Sequence, residues 1–238
     1  MMVKSTTMKT ERWGLPKRLT KMAELSVTMM LGDVRFDPES LERVKGLEEP
    51  VIFTVTHLSD WDITALVIAL GKEANIRAKI VQASSHYSWR DSPLEALGTA
   101  LAGSDNFLTI SHGSGKDKER GLFRRDDYKP MVEAMNEGYS MIMAAYHDRE
   151  QVGFNQRKAT LPEKGGGGVI YLARITGRPV IPVVVNMEQK WRGKAVIKVG
   201  KEIIIGENEI LRDGSDKMMV ALAEMLPKSK KGHWEKDD

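Results

Sequence analysis

A histidine and an aspartate stand close together where an apolar run gives way to a helical pattern. His57 follows the run Val51–Thr56, and four residues separate it from Asp62. An imidazole can remove a proton from an attacking hydroxyl near neutral pH, and a neighbouring carboxylate can fix its tautomer and stabilise the imidazolium that forms. The pair is therefore a candidate for general base catalysis.

The spacing between His57 and Asp62 restricts how the two side chains can meet. On an uninterrupted helix five positions advance about 500°, which leaves the side chains roughly 140° apart. They can pair only if His57 lies on a strand and a turn separates it from the helix. The β-branched run before His57 predicts that strand, and Ser59 or Asp60 is a suitable N-cap for a helix that begins directly afterwards.

Two other interpretations of this turn stay open. Ser59 and Asp62 also fit a capping box, in which Asp62 bonds the first free amide of the helix and His57 has no chemical role. His57, Asp60 and Asp62 could instead hold a metal ion in a hydrolase, since three ligands within six residues can enclose one. A strand-to-helix turn would aim these side chains in different directions, so we expect no metal ion here.

Strand and helix patterns alternate from residue 51 onward. This alternation predicts an α/β fold, a single domain with a central, mixed but mostly parallel sheet flanked by helices. Tyr139–Tyr146 contains a continuous apolar run, which is typical of a buried central strand. The other predicted strands are 33–38, 51–56, 76–82, 107–110 and 195–205. The predicted helices are 40–45, 60–70 closed by Gly71, 93–102, 128–137, one after the glycines at 165–168, and 216–226.

The composition is that of an ordinary globular chain, long enough for one such domain. The 238 residues are 41% hydrophobic and 29% charged, and they contain no apolar stretch of about eighteen residues that could span a bilayer. We expect no signal peptide, because the basic start is not followed by an uninterrupted apolar segment. The absence of cysteine excludes disulfides, thiol catalysis and cysteine zinc sites, and it is compatible with a cytoplasmic protein.

Charged segments flank the predicted domain, which spans residues 33–226. Residues 1–32 carry basic residues between apolar ones at helical spacing, which predicts a basic amphipathic helix. Such a helix can lie on an anionic membrane surface, or its apolar stripe can pack on the domain. The net charge of +3 is compatible with anionic lipids, nucleic acids or phosphorylated substrates and does not choose among them. Residues 227–238 predict a charged, disordered tail.

Two glycine-containing segments follow predicted strands. Residues 111–127 are too rich in glycine and charge for a regular element, so we expect a basic loop. Ligands of open α/β sheets bind beyond the carboxyl ends of the strands, which places this loop well for holding a phosphate. Gly165–Gly168 precede a predicted helix, where free amides can hold an anion or the glycines can allow close packing of helix on sheet.

Two blocks of the chain resemble the glycerolipid acyltransferases, the glycerol-3-phosphate and 1-acylglycerol-3-phosphate acyltransferase family. The family's first motif is His-x-x-x-x-Asp, commonly with serine two residues after the histidine, and His57, Ser59 and Asp62 match it. Its fourth block has a Pro-x-Lys-x-Gly segment that opens a helix and a Gly-x-Pro-Val-x-Pro-Val strand, and Leu161–Val185 is similar to it. The resemblance covers roughly residues 33 to 226 and keeps the family's order of blocks.

The two middle motifs of the family match less well. The second is roughly Gly-x-x-Phe-x-x-Arg, whose arginine helps to bind the acceptor phosphate. Residues 106–112 place His112 where arginine is usual. Residues 121–125 contain the glycine, phenylalanine and arginine of the motif, but they lie later in the chain. The third motif, Phe-Pro-Glu-Gly-Thr-Arg, is replaced by residues 145–150, where Arg149 could stand for the terminal arginine. The identity of the acceptor is therefore open.

The resemblance implies an O-acyltransferase of phospholipid biosynthesis and lipid metabolism. It would move a fatty acyl group from acyl-CoA or acyl carrier protein to a hydroxyl of a glycerol-phosphate or lysophospholipid acceptor, with His57 as the general base oriented by Asp62. No bound cofactor, metal ion or nucleic acid is expected, and the protein would be cytoplasmic or peripheral on a membrane. The alternative is a non-catalytic lipid- or anion-binding protein on the same fold with a degenerate acceptor site. The implied acceptor phosphate ligands are Arg124, Arg125, Arg149 and His112, and the supporting residues are Ser59, Lys164 and Gly165.

Overall fold

The computed structural model of the chain describes residues 32–56, 58, 62–83, 107–110, 125–146, 160–187 and 194–235. These residues form a seven-stranded sheet with helices packed on both of its faces. The strands are β1 Val34–Phe36, β2 Ile52–Val55, β3 Ala78–Ala83, β4 Phe107–Ile110, β5 Ser140–Ala144, β6 Val180–Met187 and β7 Ala195–Val199. Their order across the sheet is β1-β7-β6-β2-β5-β3-β4.

Five neighbouring strands of this sheet run in the same direction. β6, β2, β5, β3 and β4 are parallel, whereas β7 pairs antiparallel with β6, and β1 pairs parallel with β7. Strands inside a parallel sheet are buried on both faces, which explains the continuous apolar runs in β2 and β5. The predicted fold class, an α/β domain with a mixed, mostly parallel sheet, is confirmed.

The helices fall close to their predicted places, with differences at their ends. We expected the helix Asp62–Ala69 to close at Gly71, but the chain continues in a π-helical turn, Leu70–Ala74. The turn ends at Asn75, which adopts the left-handed conformation (φ 54°) that asparagine tolerates well, and the Asn75 amide donates to Leu70 O. The helices are α1 Pro38–Lys45, α2 Asp62–Ala69, α3 Lys129–Asn136, α4 Gly167–Thr176, α5 Leu211–Met225 and α6 Lys228–Lys231, with 3-10 turns at Arg125–Tyr128 and Gly232–Trp234.

The two faces of β2 contact different helices. Phe53 and Val55 belong to a core shared with α1 and α2, and Ile52 belongs to a second core shared with α3, α4 and α5. Thr54 lies on this second side, since its Oγ1 donates to Met218 Sδ of α5 at 3.3 Å. We call this side of the sheet the α4/α5 face.

The C-terminal segment is folded onto the domain as far as Glu235. The Leu161 amide donates to Lys230 O at 2.9 Å, and Trp234 Nε1 donates to Pro162 O at 2.8 Å. The expectation of a disordered tail is therefore wrong for residues 228–235. The aromatic side chain of Trp234 adds an apolar contact among the charges, since it packs against the core of the α4/α5 face.

Two predicted helices lie outside the described residues, the basic amphipathic helix within 1–32 and the helix 93–102. In the part of the chain that the structure describes, every helix is too short or too polar to cross a membrane.

Candidate functional site

The carboxyl ends of the five parallel strands meet at one edge of the sheet. β2 lies in the middle of them, between β5 and β6. Helix α2 follows β2 in the chain, so the N-terminus of α2 also lies at this edge. Helix α4 is the next helix after β5. Crevices at this position of an open α/β sheet are where ligands bind. The candidate catalytic and phosphate-binding residues that we selected from the sequence are the ones that follow β2, β4 and β5 in the chain.

Asp62 is the first residue of α2 and is buried at the carboxyl end of β2. Only 1% of its surface is exposed. Its Oδ2 accepts a hydrogen bond from the Leu58 amide at 2.9 Å. That nitrogen belongs to the peptide bond that joins His57 to Leu58, so the Asp62 carboxylate holds the backbone directly after the histidine.

This hydrogen bond bears on the capping-box interpretation of Asp62. A capping box with Ser59 as N-cap would send the carboxylate to the Ser59 amide. Ser59 lies outside the described residues, so the capping box stays a prediction, and the described bond of Oδ2 goes to the Leu58 amide, one residue further back. The carboxylate therefore stabilises the strand-to-helix turn, and its place in the first turn of α2 is favourable for a negative charge.

Several predicted site residues lie outside the described part of the chain. They are His57, Ser59, His112, Arg124 and Arg149, and Arg125 is described only as backbone, at the start of a 3-10 turn. Asp62 is therefore the predicted catalytic residue whose surroundings the structure defines. Asp60, the third residue of the metal interpretation, is also outside the described residues.

Lys164 and Gly165 are described, and they precede α4. Lys164 is exposed. A Cβ atom on Gly165 would lie 2.5 Å from Ser215 Oγ and 2.7 Å from Met219 Cγ, both on α5. A side chain has no room there, so glycine at 165 serves the close packing of the Lys164–Gly166 segment on α5. For the glycine cluster we considered anion binding and close packing of the helix on the sheet. At Gly165 the glycine allows close packing, but against helix α5 rather than the sheet.

The start of α4 lies directly beside the carboxyl end of β5. The Gly166 amide donates to Ala145 O at 2.7 Å, immediately after the last residue of that strand. A Cβ atom on Gly167 would meet no atom of the described residues within 4 Å, so the helix has room at this one position of its first turn. This helix end and Asp62 therefore lie at the same edge of the sheet, on neighbouring strands.

Sequence reasoning missed Thr56, which stands between β2 and His57. Thr56 is fully buried, and its Oγ1 has no hydrogen-bond partner among the described residues. Buried hydroxyls normally have a partner, so an exception needs a reason. The signal available in the sequence was a second threonine, two residues after Thr54, at the end of a largely apolar strand.

Comparison with known families finds no family model that matches the chain, and comparison with curated proteins finds no significant match.

Proposed function

We propose that the protein is an acyltransferase that moves a fatty acyl group from a thioester to a hydroxyl of a phosphorylated glycerol or lysophospholipid. One observation supports this most directly. The buried carboxylate of Asp62 is fixed at the carboxyl end of the central strand β2 by a bond to the amide that follows His57. A carboxylate held at that point is well placed to orient the histidine.

His57 acts as the general base in this proposal. Its imidazole takes the proton of the acceptor hydroxyl as the hydroxyl oxygen attacks the thioester carbonyl carbon. Asp62 uses Oδ2 to hold the backbone, and we assign Oδ1 to the imidazole, where it would select the tautomer and stabilise the imidazolium. The imidazolium then protonates the departing thiolate, which leaves as a free thiol.

The transfer is direct, without an acyl-enzyme. The chain has no cysteine, and no serine stands in a nucleophile-elbow sequence. Two substrates must therefore be bound together at the carboxyl edge of the sheet. Arg124, Arg125, Arg149 and His112 are the proposed ligands of the acceptor phosphate, since guanidinium groups bind phosphate oxygens in pairs.

A thiol-release assay tests this function. Because the chain contains no cysteine, a thiol-reactive dye reports only the thiol freed from the donor. Acyl-CoA and acyl carrier protein are offered in turn, each with glycerol-3-phosphate or lysophosphatidic acid as acceptor. We expect release that depends on the acceptor and equals the ester formed.

Two outcomes of this assay would count against the enzyme. Thiol release without ester would indicate hydrolysis. Binding of an acceptor by calorimetry, with no thiol released from either donor, would favour the non-catalytic lipid- or anion-binding protein instead.

A further inference from the structure

Helix α4 presents free backbone donors at the carboxyl edge of the sheet. It is ten residues long, and its N-cap residue, Gly166, provides no side-chain cap. The amides of Gly167 and Gly168 have no partner within the helix, and among the described residues they form no other hydrogen bond. Free amides and the positive end of the helix dipole together favour a negatively charged atom.

Thr56 supplies a second, independent donor on the same side of the sheet. Side chains alternate along β2, and Thr54 lies on the α4/α5 face because it bonds Met218. Thr56 comes two residues later and is still paired with β6, since its amide donates to Val183 O at 3.1 Å. Its side chain is therefore on the α4/α5 face as well.

The register of the sheet brings Thr56 and the start of α4 together. Val55 pairs with Ala144 of β5, so Thr56 is the neighbour of Ala145 across the sheet. Ala145 O is the atom that accepts the Gly166 amide. The buried Oγ1 of Thr56, without a partner among the described residues, is therefore on the sheet face and at the strand end where α4 begins.

We propose that Thr56 Oγ1 and the amides of Gly167 and Gly168 form an oxyanion site that binds the thioester carbonyl oxygen of the acyl donor. The inference rests on the proposed acyl transfer. When the acceptor oxygen bonds to the carbonyl carbon, the carbonyl π electrons move onto this oxygen, which becomes negative. The carbonyl re-forms as the carbon–sulfur bond breaks and the thiolate takes the proton from His57.

The donor set favours a single carbonyl-derived oxygen over an acceptor phosphate. All three donors are neutral, and one of them is fully buried. Thr56 is also adjacent in the chain to His57, the proposed base, so donors and base belong to the same strand end. Preorganised neutral donors of this kind act on charge that develops in the transition state.

Kinetics of matched threonine variants test the role of Thr56. Thr56→Val keeps the shape of the side chain and removes the donor, so we expect kcat to fall about 100-fold or more with KM for the acyl donor within about twofold. Thr56→Ser should restore most of the rate. Thr54→Val is the control, because Thr54 is equally buried on the same face and already has a partner in Met218. Unchanged kcat in Thr56→Val, or a change confined to KM, would overturn the assignment.

A binding measurement tests the oxyanion site independently of turnover. Glycine is labelled with ¹⁵N, and the Gly167 and Gly168 signals are identified by their loss in Gly167→Ala and Gly168→Ala. Octanoate offers the anionic oxygen of an acyl group, and inorganic phosphate offers that of an acceptor. We expect octanoate to shift both amide signals in the wild type and in Thr54→Val, and to shift them much less in Thr56→Val.

The outcomes of the two measurements separate this inference from the proposed function. Octanoate shifts in a protein that transfers no acyl group would support the oxyanion site and reject the enzyme. Acyl transfer abolished in His57→Ala but normal in Thr56→Val would keep the enzyme and reject the site. Amide shifts with phosphate alone would also reject the oxyanion site, because the donors would then hold a phosphate. Amide shifts with neither anion would reject it as well, because the donors would then hold a water molecule.

Discussion

At the scale of single residues, the proposed chemistry depends on a carboxylate that is buried away from solvent. Asp62 is buried, so its charge must be compensated by hydrogen bonds and by the helix that it begins. Its bond to the Leu58 amide explains the spacing of His57 and Asp62, because the chain must turn between them for the carboxylate to reach back.

Replacing Asp62 with Asn tests whether this carboxylate orients a catalytic histidine. The amide oxygen of Asn can still accept from Leu58, but the variant loses the charge that stabilises an imidazolium. We expect kcat to fall about 10²–10⁴-fold while the melting temperature changes little. Asp213→Asn, an exposed residue in the first turn of α5, is the control and should keep the wild-type rate. Equal rates in the two variants would mean that Asp62 has only a structural role.

His57 and Asp62, the proposed catalytic pair, could be selected from the sequence because residue type and spacing together indicate a turn. The sequence shows Thr56 as a polar residue at a strand end, but its lack of a partner among the described residues follows from sheet register and from the position of α4, which local patterns do not contain. Gly165 was selected as a supporting site residue, which stays a prediction, and the structure shows that its neighbours are on α5, far away in the chain.

At the scale of elements, α4 and α5 approach each other closely through glycine. A Cβ atom on Gly214 of α5 would lie 2.6 Å from Ile170 Cγ2 of α4. We expected α5 to begin at residue 216. This contact explains why it begins at Leu211 instead. Asp213, Gly214 and Ser215 read as a turn in the sequence, but packing against α4 keeps them helical.

Two alanine substitutions at the start of α4 should have opposite effects on stability. Gly165→Ala drives a methyl group into Ser215 and Met219, so the free energy of unfolding should fall by about 1–3 kcal/mol. Gly167→Ala places its methyl in open space within a helix and should raise that free energy by about 0.4–1 kcal/mol. Urea denaturation of both variants measures the difference. Similar stabilities would show that α4 and α5 can separate freely at Gly165.

The loop that leads into α5 is held by Glu209. Lys217 Nζ lies 2.6 Å from Glu209 Oε1, and the Gly206 amide donates to Oε2 at 3.2 Å. The hydrogen bond from Lys217 is the main cause that lowers the pKa of Glu209 below its ordinary value of 4.5. A carboxylate with a lowered pKa stabilises the fold above its unfolded pKa, and this contribution is lost as the pH falls through the folded pKa.

Replacing Glu209 with Gln should therefore have a pH-dependent effect. We expect Glu209→Gln to melt at a lower temperature than the wild type at about pH 7, and the difference to shrink at an acidic pH below the lowered pKa of Glu209, where the wild-type carboxylate has also lost its charge. Glu224→Gln on the exposed side of α5 is the control. A difference that is the same at both pH values would contradict the proposed pairing with Lys217.

At the scale of the whole molecule, the topology brings separate parts of the chain to one edge. The position of β2 between β5 and β6 places the end of β2, at Thr56, on the strand next to the one whose end contacts the start of α4. Alternating patterns predicted the α/β class and the burial of β5, because both depend on local periodicity. The strand order and the docking of the C-terminal segment depend on contacts between distant residues, so periodicity does not reveal them.

The C-terminal segment should contribute measurably to stability. Trp234→Ala removes the hydrogen bond to Pro162 O and the packing of the ring, so the free energy of unfolding should fall by about 2 kcal/mol. Trp234→Phe, which keeps a ring without the donor, should lose less. Unfolding curves identical to that of the wild type would show that residues 228–235 are not attached to the domain in solution.

The most direct test of acyl transfer at this edge is the rate of His57→Ala in the thiol-release assay. We expect its kcat to fall about 10²–10⁴-fold, with an unchanged melting temperature and retained acceptor binding. His233→Ala, an exposed histidine in the C-terminal segment, should turn over like the wild type. Wild-type turnover in His57→Ala would contradict the proposed mechanism.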